Sequence, residues 1–241
     1  MTDVSPLEQE PKPAPSFKEI LLQSAFSPGR AIVDSVREID LGIFGNECQE
    51  LRLQTLRDPR RREFGKLVYI TRDGKLLLQN RPTTGEGKIV SGEIRINLIN
   101  DNTTLPWFLI QDKMVGTIIH SHPVEIPACP QDLFYLLLGD FDIFASVAES
   151  VATPKSNIVI FRGEGAPQFT REQANEKILL WEKQMTERIR RFTSPDISIP
   201  EQLEINNRAG WALLRQIVQK YDLKIFSGDG NSTKVLLLTQ V

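Results

Sequence analysis

The chain has two histidines, and both lie in one tripeptide, His120-Ser-His122, followed by Pro123. Histidine is the commonest neutral metal ligand, and histidines used only for packing or solubility would be scattered. The pair ends an apolar run, Val115-Gly-Thr-Ile-Ile119. On a strand, residues i and i+2 project to the same side, so both rings can converge on one ion. Ten positions after His122 comes Asp132, just beyond Cys129-Pro130. That carboxylate completes a His-His-Asp set. Three protein ligands leave a fourth tetrahedral zinc position open to water, which is how catalytic zinc differs from structural zinc.

Positioning such a set requires a strand, a loop and a helix. Val115 to Ile119 has apolar residues on both faces, which predicts a central strand. Pro130 suits a first helical turn, so Gln131 to Leu138 reads as a helix. Asp132 then lies near its N-terminus, where the helix dipole favours a carboxylate. Around this unit, Ser16 to Arg57 has mostly helical spacing. Leu67 to Thr71 and Lys75 to Gln79 flank Arg72-Asp-Gly74 as a hairpin. Gly85 to Gly87 reads as a loop and Glu93 to Leu98 as a half-buried strand; Trp107 to Lys113 fits a short helix or a strand. Phe141 to Val147 and Asn157 to Phe161 supply further strands. Arg171 to Phe192 is a long amphipathic helix, followed by a linker from Ser194 to Pro200 and a helix from about Glu201 to Tyr221. A terminal hairpin joins Lys224–Phe226 to Lys234–Leu238. The expected fold class is α/β (α+β), a mixed sheet flanked by helices. The expected organisation is a disordered tail over 1–15, a helical segment over 16–57, a core over 58–168, and a helical extension with a hairpin over 169–241.

Composition narrows the function. The 241 residues are 40% hydrophobic and 25% charged, ordinary for a globular protein, with a net charge of −2. A near-neutral chain gives little support to a nucleic-acid partner. The basic run Arg57 to Arg62 reads as a solvated linker. No apolar stretch reaches the ~20 residues that span a membrane. Nothing at the N-terminus marks a secretory signal, and two cysteines, Cys48 and Cys129, make no disulfide framework, so a cytoplasmic location is the expectation.

His-Ser-His-Pro followed by Cys129-Pro-Gln-Asp132 resembles the signature of the JAMM (JAB/MPN) zinc metalloproteases. The resemblance rests on segment 115–138, and the order of elements over roughly 63–165 agrees with it. It implies a JAMM/cytidine-deaminase-like fold with His120, His122 and Asp132 as zinc ligands. It also implies an upstream glutamate as general base at the start of the first strand after a helix. Glu63, 57 residues before His120, fits that place; Glu47 and Glu93 compete with it. Three features depart from the pattern. Cys129 stands where the family has a serine, six residues separate it from His122 rather than seven, and Glu63 is followed by Phe-Gly-Lys rather than a small residue and two glycines. In the family the serine helps stabilise an oxyanion. A thiol is a weaker donor, a thiolate would bind zinc and close the site, and a buried small hydrophobe is the third reading of Cys129. The zinc deaminases use a second cysteine where this chain has Asp132, and a glutamate where it has His122.

The resemblance implies a zinc-dependent hydrolase of peptide or isopeptide bonds acting on the C-terminal tail of a ubiquitin-like protein. An edge at Ile89 to Asn97 would accept that tail as an added strand. The alternative is a non-catalytic JAMM-like scaffold with a degenerate or structural metal site. In either case the C-terminal extension is the part expected to dock a protein partner.

Overall fold

The computed structural model describes residues 13–26, 32–71, 73–84, 113–139, 145–194 and 196–238. Three expectations lie outside them: the loop at 85–87, the strand at 93–98 with its proposed edge at 89–97, and the element at 107–112. So does most of the expected tail.

The N-terminal region is helical, as its spacing predicts, with α1 over Phe17–Phe26, α2 over Ile32–Ser35 and α3 over Ile43–Arg57. It also contains a three-residue strand, β1 (Glu38–Asp40), that helical periodicity did not reveal. Only Ile39 of β1 is buried; so short a strand carries no period-2 signal of its own and is defined by its partner.

The sheet continues with β2 (Phe64–Thr71), β3 (Leu76–Leu78), β4 (Thr83–Thr84) and β5 (Lys113–Ser121). Helix α4 (Pro130–Leu137) leads to β6 (Ser146–Ala152) and β7 (Ser156–Arg162). Two long helices follow, α5 (Arg171–Phe192) and α6 (Ile199–Tyr221), then β8 (Leu223–Asp229) and β9 (Lys234–Leu237). Capping boxes begin both long helices, Thr170 with Gln173 and Ser198 with Glu201, each satisfying orphan backbone donors.

The described strands form one sheet in the order β1-β9-β8-β7-β6-β5-β2-β3, with β4 also on β2. All its pairings are antiparallel except β5 with β6. A parallel pair needs a crossover, and α4 lies within it. The expected central strand is therefore central: β5 lies between β2 and β6, and Ile118 and Ile119 are both fully buried on opposite faces. The terminal hairpin forms as expected, and through β8 it continues the sheet from β7.

One strand differs from its sequence reading. The apolar run suggested Phe141 to Val147, but β6 is Ser146–Ala152, and 141–144 lie outside the described residues. Its seven residues are all buried, including Ser146, Glu149 and Ser150. Polar side chains in a strand buried on both faces hide it from a hydrophobicity pattern.

Each face of the sheet carries its own core. On one, α1 and α3 pack Phe17, Leu21, Phe44 and Leu51 against Val68, Ile119, Ala148 and Phe161. On the other, α4, α5 and α6 pack Leu133, Leu136, Trp181 and Leu214 against Val151, Ile158 and Ile225. Burying each such large side chain contributes about 1.5–3 kcal/mol. The buried Arg52 of α3 ties the ends of these layers together, donating to the carbonyls of Thr153 and Gly230 and to the Asn157 side chain.

Candidate metal centre

The two histidines fall at the end of β5, from which a loop over 122–129 leads to α4. His120 is the penultimate residue of β5 and lies on the α4 side of the sheet; His122 follows immediately. Asp132 is the third residue of α4, in its first turn. All three are buried, with His120 fully enclosed. Ligand sites at the carboxyl ends of parallel strands follow from this geometry, because the strand stops and the chain turns there.

The two rings differ on their Nδ1 sides: His122 Nδ1 meets a carbonyl, whereas buried His120 Nδ1 faces a carboxylate without forming a hydrogen bond. His122 Nδ1 is 2.9 Å from the carbonyl oxygen of Ile126. The Ile126 loop is in turn clamped by Glu125, which accepts from Thr153 Oγ1 at 2.7 Å, Lys155 N at 2.9 Å and Ser156 Oγ at 2.9 Å. His120 Nδ1 faces Glu149 Oε1 of β6 across 3.3 Å. Both Nε2 atoms therefore point the same way, 3.1 Å from each other. Asp132 closes the triangle, with Oδ1 3.4 Å from His120 Nε2 and Oδ2 3.5 Å from His122 Nε2.

These separations are those of ligands to one ion. Two donors each ~2.0–2.1 Å from a tetrahedral zinc stand about 3.3–3.4 Å apart. Asp132 Oδ1 is buried and accepts no hydrogen bond, which is costly for a carboxylate oxygen unless something else compensates it. Its other oxygen is already oriented, since Oδ2 accepts from Cys129 N at 2.6 Å. The donor set and the orphaned oxygen both fit a divalent cation.

Electrostatics agree. Burial opposes charging of His120, yet Asp132 and Glu149 outweigh it and raise its pKa well above the ordinary value. Burial likewise opposes charge on His122, and Asp132 and Glu63 reverse the balance. Burial raises Asp132, but the two imidazoles hold it well below the usual carboxylate range. The pocket is thus built for positive charge, which two protons or one metal ion can supply.

The two residues expected beside the ligands are also placed. Strand β2 runs antiparallel to β5 with Gly65 opposite His120, and continuing that register brings Glu63 alongside His122. Glu63 Oε1 lies 4.0 Å from His122 Nε2, outside the inner triangle but facing it. The approach to Glu63 is fixed on both sides. Arg62 N donates to Asp58 Oδ2 at 2.7 Å, and Phe64 N donates to Ser121 Oγ at 3.1 Å. Its competitor Glu47 instead pairs with Lys66, and Glu93 lies outside the described residues.

Cys129 is the N-cap of α4. Its side chain accepts from the backbone of Asp132, while Asp132 returns a bond to the Cys129 N–H. The cluster of mutually close ligand atoms contains His120, His122 and Asp132 and not the Cys129 sulfur. Burial, and then the Asp132 charge, push the Cys129 thiol well above its ordinary pKa. Burial also pushes the Cys48 thiol up, to about 12. A raised thiol pKa leaves less thiolate in the folded than in the unfolded chain at pH 8. In metal-free native protein at that pH, a disulfide reagent is therefore expected to label both cysteines much more slowly than in urea. Equal rates would show that the thiols are exposed and unperturbed.

Sequence reasoning did not find Glu149. It is fully buried, and only the β5–β6 pairing, Ile118 opposite Glu149, brings it onto the face of His120. The available signal was an acidic residue inside Ser-Val-Ala-Glu-Ser-Val-Ala, a segment otherwise suited to an interior strand. Among the described residues, no helix is long and apolar enough to cross a membrane. Comparisons with protein-family models, with curated proteins and with solved structures returned no significant match.

Proposed function

We propose that this protein is a zinc-dependent hydrolase of peptide or isopeptide bonds, with His120, His122 and Asp132 holding the metal. The observation that carries the reading is the convergence of two Nε2 atoms and one carboxylate within 3.5 Å, with a second carboxylate, Glu63, 4.0 Å from His122. Three ligands plus a nearby unligated carboxylate is an arrangement for hydrolysis rather than for a closed structural site.

Zinc bound there supplies Lewis acidity, polarising a carbonyl and lowering the pKa of water toward neutrality. The protein's own groups do the rest. Ile126 O sets the Nδ1 side of His122, so that its Nε2 remains free to ligate. Glu63 Oε1 takes a proton from the attacking water and returns it to the leaving amine, the part of a general acid–base. The cap at Cys129 orients Asp132 through the backbone bond, and its protonated thiol offers a weak donor toward a developing oxyanion.

The resemblance of segment 115–138 to the JAMM proteases supports a C-terminal tail of a ubiquitin-like protein as the substrate, presented as an extended strand. The rival reading, a non-catalytic scaffold, draws on the replacement of serine by Cys129. The Cys129 sulfur, outside the ligand cluster, and the nearby Glu63 favour the hydrolase. Purified protein is expected to contain about one zinc per chain and to cleave a ubiquitin-like fusion in a chelator-sensitive manner. Bound zinc with no cleavage of any such fusion would favour the scaffold; absence of zinc would remove the hydrolase and leave a scaffold with a degenerate site.

A further inference from the structure

A buried carboxylate in the middle of a β-strand is costly unless it has work to do. Glu149 is such a group: it is fully buried, sits at the fourth position of β6, and faces His120 Nδ1 at 3.3 Å. The parallel register pairs Ile118 with Glu149 and His120 with Val151, so Glu149 and His120 are diagonal neighbours on one face of the sheet. The two ligand histidines thus have different supports. His122 gives its Nδ1 side to a backbone carbonyl, a neutral dipole, whereas His120 gives its Nδ1 side to a carboxylate.

We propose that Glu149 is a positioning residue for the metal centre. It keeps the His120 proton on Nδ1 and holds the ring so that Nε2 faces the ion, and its negative charge makes that nitrogen a stronger donor. This inference rests on the metal reading above and adds to it a fourth residue, which touches neither the metal nor the substrate. Carboxylate–histidine–metal relays fix tautomer and ring orientation, and their loss commonly weakens metal binding by 10–100-fold. The hold of His120 on the metal therefore depends on a residue of the neighbouring strand.

Glu149→Gln keeps the shape and removes the charge. The decisive measurement is zinc affinity by competition against a chromophoric chelator, paired with nitrogen-15 spectra of histidine-labelled, zinc-loaded protein. With two histidines in the chain, the ring signals are few and assignable. Expected results are a loss of zinc affinity of about 10–100-fold and a shift of the His120 Nδ1–H signal in the variant. The His122 signals should stay in place. A purely structural role would lower thermal stability without moving the His120 signal selectively. Val147→Ala, a core truncation two residues away on the same strand, is the control: it should destabilise the fold and leave zinc affinity unchanged. Wild-type zinc affinity in Glu149→Gln would overturn the positioning role while leaving the metal site intact. No zinc binding by the wild-type protein would overturn both. Should the variant fail to fold, the wild-type spectrum still decides: zinc-loaded protein lacking a proton on His120 Nδ1 contradicts the proposal.

Discussion

His122→Ala is expected to abolish zinc-dependent stabilisation. A ligand that binds only the native state at about 100 times its dissociation constant adds about 2.7 kcal/mol. In a chain of this size each kcal/mol moves the thermal midpoint by roughly 2–4 °C, so zinc should raise the wild-type midpoint by roughly 5–11 °C. The variant loses one corner of a triangle whose sides are 3.1, 3.4 and 3.5 Å. The remaining pair, His120 and Asp132, cannot make a three-ligand site, so the zinc-induced rise should vanish. Scanning calorimetry with and without zinc measures it. A variant that still carries one zinc per chain and still gains stability would remove His122 from the ligand set.

Glu63→Gln separates chemistry from metal binding. Because Glu63 stands outside the inner cluster, the variant should keep its zinc. Because an amide cannot take the water's proton, turnover of a ubiquitin-like fusion should fall by about 10²–10⁴-fold, the usual worth of a positioned general base. Single-turnover cleavage with zinc content measured on the same sample makes the comparison. Loss of zinc would make Glu63 a ligand rather than a base. An unchanged rate with zinc retained would place the base elsewhere.

Much of the site was legible because its signals are local. His-x-His at the end of an apolar run requires only the alternation of a strand, and Pro130 with Asp132 requires only the first turn of a helix. The long helices and terminal hairpin were equally readable, since their periodicity and turns lie within short stretches of chain. Glu63 was less so. Its distance from His120 in sequence says nothing of proximity, and the family resemblance pointed to it before the β2–β5 register explained it.

The residue types alone pointed to a candidate metal site: two imidazoles and a carboxylate at strand-to-helix spacing. Whether those groups meet was settled by the fold. The antiparallel β2–β5 register sets Glu63 opposite His122, and the cap at Cys129 turns Asp132 inward with its sulfur left out of the cluster. The parallel β5–β6 pair delivers Glu149 to His120, across an interval of sequence that no local pattern spans. Strand β6 escaped the sequence reading for the same reason that it matters. Hydrophobic periodicity reports which side chains avoid water, and Glu149 is a charged residue buried in a strand beside His120.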